Sequence, residues 1–107
     1  MVKYIRISAQ EALRMMEEEN VIILDVRTLE EFEEGFIEGA ILLPYYDIWD
    51  KGEETLPDKD QIILIYCRRG RRSAIAARTL IDMGYTRVYD FGGIDEWEQS
   101  LTVNSEQ

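Results

Sequence analysis

A single cysteine stands directly before a short run of arginines, and this stretch is the part of the chain best suited to chemistry. Cys67 is followed by Arg68-Arg69-Gly70-Arg71-Arg72-Ser73. A thiolate is a far better nucleophile than a thiol, and cationic groups and helix-terminal amides stabilise it. Because a strand pattern precedes Cys67 and a helix pattern follows it, the sulfur is expected beside a helix amino end, in a turn whose N–H groups can hold an anion. The stretch therefore predicts a thiolate nucleophile at Cys67.

The residue types missing from the sequence narrow the chemistry further. The chain contains no histidine and one cysteine. Ser-His-Asp and Cys-His mechanisms are excluded within the chain, as are an intramolecular disulfide and a metal site made only of thiolates. We expect neither a metal nor a cofactor. Transfer of a sulfane sulfur fits these limits, because sulfite leaving from thiosulfate needs little protonation. An alkoxide leaving from a phosphate ester needs an acid, which Asp25 or Asp90 could supply.

The charge of the chain is unevenly distributed. The formal net charge is −10, which disfavours nucleic acid and anionic membranes as partners. Residues 61–89 nevertheless hold six arginines and one acid, Asp82, whereas the rest of the chain has a net charge of −15. This positive cluster is suited to attract a small anion or an acidic carrier protein to Cys67. Alternatively, an individual arginine only balances nearby acids.

Strand and helix patterns alternate along the chain. Apolar or alternating runs predict strands at residues 4–7, 21–26, 40–43, 62–66 and 87–91. Capping residues and glycine stops predict helices at residues 9–18, after Thr28, at residues 73–83 and around Trp97. The alternation indicates an α/β fold with a mainly parallel sheet, in which ligands bind beyond the carboxyl ends of the strands. Cys67 stands at such an end.

Four sequence blocks, in order along residues 4–100, closely resemble the rhodanese family. They are Cys67–Ser73, Asp25-Val26-Arg27 with Glu31-Phe32, the segment from Gly35 to Ala40 that ends at Pro44, and Gly92-Gly93 with Trp97. The length resembles the single-domain rhodaneses. The resemblance implies a five-stranded parallel sheet with helices on both faces and a persulfide intermediate on Cys67. It also implies a substrate-binding loop consisting of Arg68, Arg69, Gly70, Arg71, Arg72 and Ser73.

Two details of the resemblance affect its interpretation. Phosphatases and arsenate reductases of related fold use a loop one residue longer, with the phosphate-binding arginine six positions after the cysteine. Here Ser73 holds that position and Arg72 lies five positions after Cys67, which matches the sulfurtransferase loop. The family often has histidine where this chain has Phe36, and we expect Phe36 to be a packing residue outside the chemistry.

Several other residues are expected to support the site. Asp25 and Arg27 are interpreted as a structural pair, with Arg27 also available to Glu30 or Glu31. Gly92-Gly93 is interpreted as a tight turn. Three aromatic residues are open to two interpretations, as packing residues or as a wall of the pocket beside the cysteine: Tyr45, Tyr46 and Trp49.

Taken together, these patterns predict one domain over residues 1–107, with its core at about residues 4–100 and a flexible tail at residues 102–107. The predicted activity is a thiosulfate sulfurtransferase, in which Cys67 accepts sulfur from thiosulfate or a persulfide and passes it to a thiol or to cyanide. Alternatives are a relay module with a protein donor or acceptor, a non-catalytic interaction domain, and a phosphatase or arsenate reductase. The amino-terminal residues lack a signal-peptide pattern and no run could span a membrane, so the expected location is the cytoplasm.

Overall fold

The computed structural model describes residues 3–103, which fold around one parallel β-sheet. The strands are β1 (Ile5–Arg6), β2 (Val21–Asp25), β3 (Ile41–Leu42), β4 (Ile62–Cys67) and β5 (Val88–Gly93). The helices are α1 (Ala9–Glu18), α2 (Leu29–Glu34), α3 (Ile48–Thr55) and α4 (Arg71–Asp82), with 3-10 turns at Tyr45–Asp47 and Ile94–Glu96. The strand order is β1-β5-β4-β2-β3, and each neighbouring pair is parallel. The predicted five-stranded α/β fold is confirmed.

The central strand β4 is buried on both faces of the sheet. Ile63, Ile65 and Cys67 point into a cluster with α3 and α4, whereas Leu64 and Tyr66 point into a second cluster with α1. This alternation follows from the two-residue period of a strand, and the continuous apolar run is what a doubly covered parallel strand requires. Burial of each large aliphatic side chain contributes about 1.5–3 kcal/mol. Cys67 is therefore attached to the most firmly held strand of the sheet.

Two helices begin where their capping residues predict. The Ser8 hydroxyl accepts a hydrogen bond from the Glu11 backbone N–H at 3.0 Å. At α2 the capping is reciprocal, because Thr28 Oγ1 accepts from the Glu31 N–H at 3.2 Å while the Glu31 carboxylate accepts from the Thr28 N–H at 3.1 Å. Such caps typically contribute about 1 kcal/mol each. Within residues 3–103, we find no helix with both the length and the apolar character needed to cross a membrane.

The helix predicted around Trp97 is wrong. The chain forms only the single 3-10 turn Ile94–Glu96, and Trp97 follows it in extended backbone. The indole of Trp97 packs against Phe91, with ring centroids 5.8 Å apart, and this packing draws the chain back toward the sheet. Packing of the half-buried indole on Phe91 therefore outweighs continuation of the helix.

The segment after Trp97 also returns to the body of the protein. Thr102, where the predicted tail begins, forms an antiparallel bridge with Phe36. Its two backbone hydrogen bonds measure 2.9 and 2.7 Å. Residues 104–107 of the predicted tail lie outside the described residues.

Candidate active site

Cys67 ends β4 at the carboxyl edge of the sheet, and the chain turns there into α4. Its side chain is 1% exposed, and its Sγ accepts a hydrogen bond from the Gly70 N–H at 2.9 Å. Gly70 has φ of 102°, a conformation that favours glycine and folds the turn back over the sulfur. Since α4 begins at Arg71, its first N–H groups have no acceptor within the helix and lie at the same end as the sulfur. The turn can thus stabilise an anion on or near Sγ.

An open cavity of about 590 Å³ lies over Cys67. Its lining consists of Cys67, the four loop arginines Arg68, Arg69, Arg71 and Arg72, and the side chains of Tyr45 and Ile75. Among the described residues, no carboxylate contributes to this lining. The cavity is large enough for a small anion together with part of a second reactant.

Gly70 and Ser73 also belong to the predicted loop, but they do not line the cavity. Instead, their hydrogen bonds fix the shape of the loop. Ser73 is buried, and its Oγ donates a hydrogen bond to the Gly70 carbonyl at 3.2 Å. The Gly70 N–H is the group that reaches Cys67 Sγ. These bonds hold the turn closed around the sulfur.

One loop arginine is bound to a carboxylate on a distant helix. Arg72 donates to both oxygens of Glu31, at 2.7 and 2.9 Å, and the Arg68 guanidinium lies 3.9 Å from the same carboxylate. Glu31 is itself held by the reciprocal cap with Thr28. Hydrogen bonds from Arg72, opposed by burial and reinforced by Thr28, lower the pKa of Glu31 to about 2. The pair ties the start of α4 to the start of α2.

Replacing Glu31 with glutamine is expected to destabilise the protein in a pH-dependent way. A carboxylate whose pKa falls from 4.5 to about 2 on folding adds stability above pH 4.5, and this contribution is lost as the pH falls toward 2. We expect Glu31→Gln to lower the free energy of unfolding by roughly 2–3 kcal/mol at pH 7 and by much less near pH 2. Urea denaturation at pH 7, 4 and 2.5 measures the difference.

The exposed neighbour Glu30 provides the matched control for this prediction. Glu30→Gln removes the same charge from the first turn of α2. We expect it to change the free energy of unfolding by less than about 0.5 kcal/mol at each pH. Equal effects of the two substitutions would show that the bond between Glu31 and Arg72 contributes no more than a general surface charge.

The glycine pair at the end of β5 supports the loop from beneath. From sequence, Gly92-Gly93 is interpreted as a tight turn, and this interpretation does not predict the contact with the loop. Gly93 pairs in register with Cys67. A Cβ on Gly93 would clash with the carbonyl oxygen of Arg68 and would lie 2.7 Å from the Cα of Arg69. Two consecutive glycines at the end of a strand are the sequence signal for such a close approach of backbones.

Asp25 and Arg27 form the predicted structural pair, and both are buried. The Arg27 Nη2 donates to Asp25 Oδ2 and to the Gly35 carbonyl, each at 2.7 Å. The predicted additional pairing of Arg27 with Glu30 or Glu31 is wrong, because among residues 3–103 the carboxylate within 4.0 Å of the Arg27 guanidinium is that of Asp25, and Glu31 is bound to Arg72. The pair therefore joins the end of β2 to the end of α2.

The two candidate acids predicted for phosphate chemistry lie away from the cavity. Asp25 and Asp90 are fully buried, and neither lines the space over Cys67. Asp90 Oδ1 accepts from the Gly92 N–H at 2.8 Å and so helps to shape the turn below the loop. Within residues 3–103, no group of three or more His, Cys, Asp and Glu side chains is arranged to hold a metal ion.

The aromatic residues divide between pocket and surface. Tyr45 lines the cavity, whereas Tyr46 and Trp49 are 61% and 66% exposed. Phe36 is buried and stacks on Phe32 with ring centroids 4.0 Å apart, in agreement with its predicted packing role.

Comparison with known proteins relates this geometry to sulfur chemistry. The family model described as Rhodanese-like domain matches residues 8–100. The chain is 34% identical over 73 residues to thiosulfate sulfurtransferase PspE of Escherichia coli (strain K12), covering 68% of this chain and 70% of that protein. It is 31% identical over 96 residues to thiosulfate sulfurtransferase GlpE of Coxiella burnetii, covering 89% of this chain and 88% of that protein. The putative sulfur carrier protein YrkF of Bacillus subtilis is 37% identical over 81 residues, which cover 75% of this chain and 43% of that protein.

Solved structures agree with these sequence relationships. A structure described as rhodanese with anions from E. coli superposes with a TM-score of 0.74 at 29% identity, covering 79% of this chain and all of that one. A rhodanese-related protein from Thermoplasma volcanium superposes with a TM-score of 0.82 at 27% identity, covering 94% of this chain and all of that one. The names of the sequence relatives support sulfur transfer in general, between a sulfur donor and a sulfur acceptor.

Proposed function

This chain belongs to the Rhodanese-like domain family, and from this premise we propose that it is a thiosulfate sulfurtransferase that carries sulfur on Cys67. The observation that carries the proposal is the environment of the sulfur. Cys67 Sγ lies at the floor of a cavity lined by four arginines and accepts a hydrogen bond from the Gly70 N–H. An anionic sulfur is stabilised there, and an anionic donor is attracted.

The first half-reaction loads the cysteine. The Cys67 thiolate attacks the outer sulfur of thiosulfate and forms a new S–S bond. The bond between the two sulfurs of thiosulfate breaks, and its electron pair leaves with sulfite. The product is a persulfide anion on Cys67, and no proton transfer is needed. This requirement suits a site without a histidine.

The second half-reaction returns the cysteine to its starting state. A thiolate or cyanide attacks the outer sulfur, and the electron pair of the Cys67–sulfur bond remains on Sγ. The acceptor leaves as a persulfide or as thiocyanate. The thiolate produced at Cys67 occupies the same hydrogen-bonded position, so one turn serves both steps.

Arginines with different partners have different proposed roles in binding. Arg68, Arg69 and Arg71 are exposed at the cavity and supply positive charge to the donor. Arg72 lines the cavity while two of its N–H groups are bound to Glu31, and its remaining donors can contact an anion from a fixed position. Glu31 is then a positioning residue for Arg72.

The proposal is tested by incubating the purified protein with thiosulfate, removing the excess and measuring the intact mass without reductant. We expect the mass to increase by one sulfur atom, and cyanide to reverse the increase. Protein alkylated at Cys67 beforehand is the control and should gain nothing. No mass increase in protein whose Cys67 remains alkylatable would contradict thiosulfate as the donor.

A further inference from the structure

An exposed surface adjoins the mouth of the Cys67 cavity and has the composition of a docking site. We call it the acceptor face, and it consists of Tyr46, Trp49, Arg71, Ile75 and Arg78. We propose that the acceptor face binds a short acidic segment of a partner protein that bears a thiol, and that this thiol takes the sulfur from Cys67. The inference rests on the proposed function and adds the class of acceptor.

Three of these residues lie along one exposed stripe of α4. Arg71, Ile75 and Arg78 are spaced at i, i+4 and i+7, so their side chains share one side of the helix. Ile75 is 40% exposed and also lines the cavity. The stripe therefore runs continuously from the cavity onto the surface.

Two large aromatic side chains are exposed in the segment that directly follows Tyr45. Tyr46 and Trp49 are each more than half exposed. Tyr46 packs edge-on against Tyr45, with centroids 5.5 Å apart, and Tyr45 lines the cavity. Exposed aromatic residues and arginines are typical of the residues that dominate protein interfaces.

The charge of the acceptor face favours an acidic partner. Among residues 3–103, no carboxylate lies within 4.0 Å of the guanidinium of Arg69, Arg71 or Arg78. The rest of the chain is strongly negative and repels a long polyanion such as a nucleic acid. Asp50 and Glu53 flank Trp49 on α3, Asp82 follows Arg78 by one turn of α4, and all three are exposed. The acidic residues of a short segment are therefore expected over Arg71 and Arg78, and its apolar residue over the aromatic side chains.

The depth of Cys67 limits the shape of the acceptor. With the side chain 1% exposed, a thiol on a flat protein surface cannot reach Sγ. Two copies of this chain cannot exchange sulfur directly either, since both sulfurs would be buried. A persulfide extends the reactive sulfur by about 2 Å into the cavity, where an extended segment can meet it. Transfer then forms an S–S bond to the partner thiolate, breaks the bond to Sγ and leaves the electron pair on Cys67.

The inference is tested with persulfide-loaded protein, whose loading is first verified by mass, and two ten-residue peptides. Each peptide has one cysteine and one leucine, and they differ in having four glutamates or four lysines. We expect the acidic peptide to remove the sulfur about tenfold faster than the basic one, and the difference to shrink at high salt. Equal rates for the two peptides would overturn the proposal.

Matched charge reversals locate the surface. Arg78→Glu is expected to slow the acidic peptide about fivefold, whereas Arg87→Glu, at the opposite end of the sheet, should change its rate less than twofold. The rate at which cyanide removes the sulfur from Cys67 should be unchanged in both variants. Equal effects of the two reversals on the acidic peptide would also overturn the proposal.

A binding measurement separates docking from sulfur chemistry. In Cys67→Ser protein, we expect the acidic peptide to change the fluorescence of the exposed Trp49, and Arg78→Glu to weaken this binding. This binding measurement does not require a persulfide on Cys67. Failure of thiosulfate to load Cys67 would therefore contradict the proposed function but not the docking site. No binding of the acidic peptide to Cys67→Ser protein would overturn the acceptor face as a docking site.

Discussion

Replacing Cys67 with serine is expected to lower the rate of sulfur transfer by a factor of about 10⁴ or more. A serine hydroxyl is not ionised near neutral pH, and the chain has no histidine to take its proton. Among the described residues, no carboxylate lines the cavity to act as a base. The rate of thiocyanate formation from thiosulfate and cyanide, compared with the wild-type protein, measures the loss.

The fold should tolerate this substitution. Serine is slightly smaller than cysteine, and its hydroxyl can accept the same hydrogen bond from the Gly70 N–H. Thermal unfolding should therefore shift by only a few degrees. A folded Cys67→Ser protein that retained more than a tenth of the wild-type rate would show that Cys67 does not carry the sulfur.

Gly93→Ala is expected to reduce sulfur transfer at least about a hundredfold and to lower the free energy of unfolding by about 2–4 kcal/mol. The new Cβ would meet the backbone of Arg68 and Arg69, which cannot rotate away as a side chain can. The loop must move, and the hydrogen bond from Gly70 to Cys67 Sγ moves with it. Thiocyanate formation and urea denaturation measure the two losses.

Gly52→Ala is the matched control for the added methyl group. Gly52 is buried within α3, but a Cβ there would meet the flexible end of Met83 at 3.2 Å. Alanine also favours a helix over glycine. We expect activity within twofold of wild type and a stability change below about 1 kcal/mol. If Gly93→Ala behaved like Gly52→Ala, the close support of the loop by β5 would be disproved.

The features that the sequence predicts well are those set by neighbouring residues. The apolar run before Cys67 predicts a strand and places the cysteine at its carboxyl end, as observed. The reciprocal cap of Thr28 and Glu31 likewise depends on residues three positions apart. Such patterns act through local hydrogen bonding and burial, which composition and spacing express directly.

The features that the sequence does not predict are contacts between distant segments. Glu31 and Arg72 are 41 residues apart, and either could pair with many other charges until the sheet brings α2 and α4 together. The contact of Gly93 with the loop depends on the register of β5 against β4. Trp97 is not part of a helix because its indole packs against the buried side chain of Phe91. In each case tertiary packing outweighs local preference.

The order of the strands has a consequence for how the site forms during folding. β1 is an edge strand that pairs with β5, so Ile5 can meet its partner Tyr89 only after the intervening segment that holds the other three strands has been made. Pairing over such a long sequence separation is slow, because the intervening chain loses conformational entropy before the strand contacts can form and stabilise the pair. During synthesis, the turn around Cys67 lacks the support of β5 until residues 88–93 emerge. The site around the nucleophile is therefore completed only after β5 has emerged from the ribosome, and a nascent chain that ends before β5 would carry the thiol and its loop without the backbone support of Gly93.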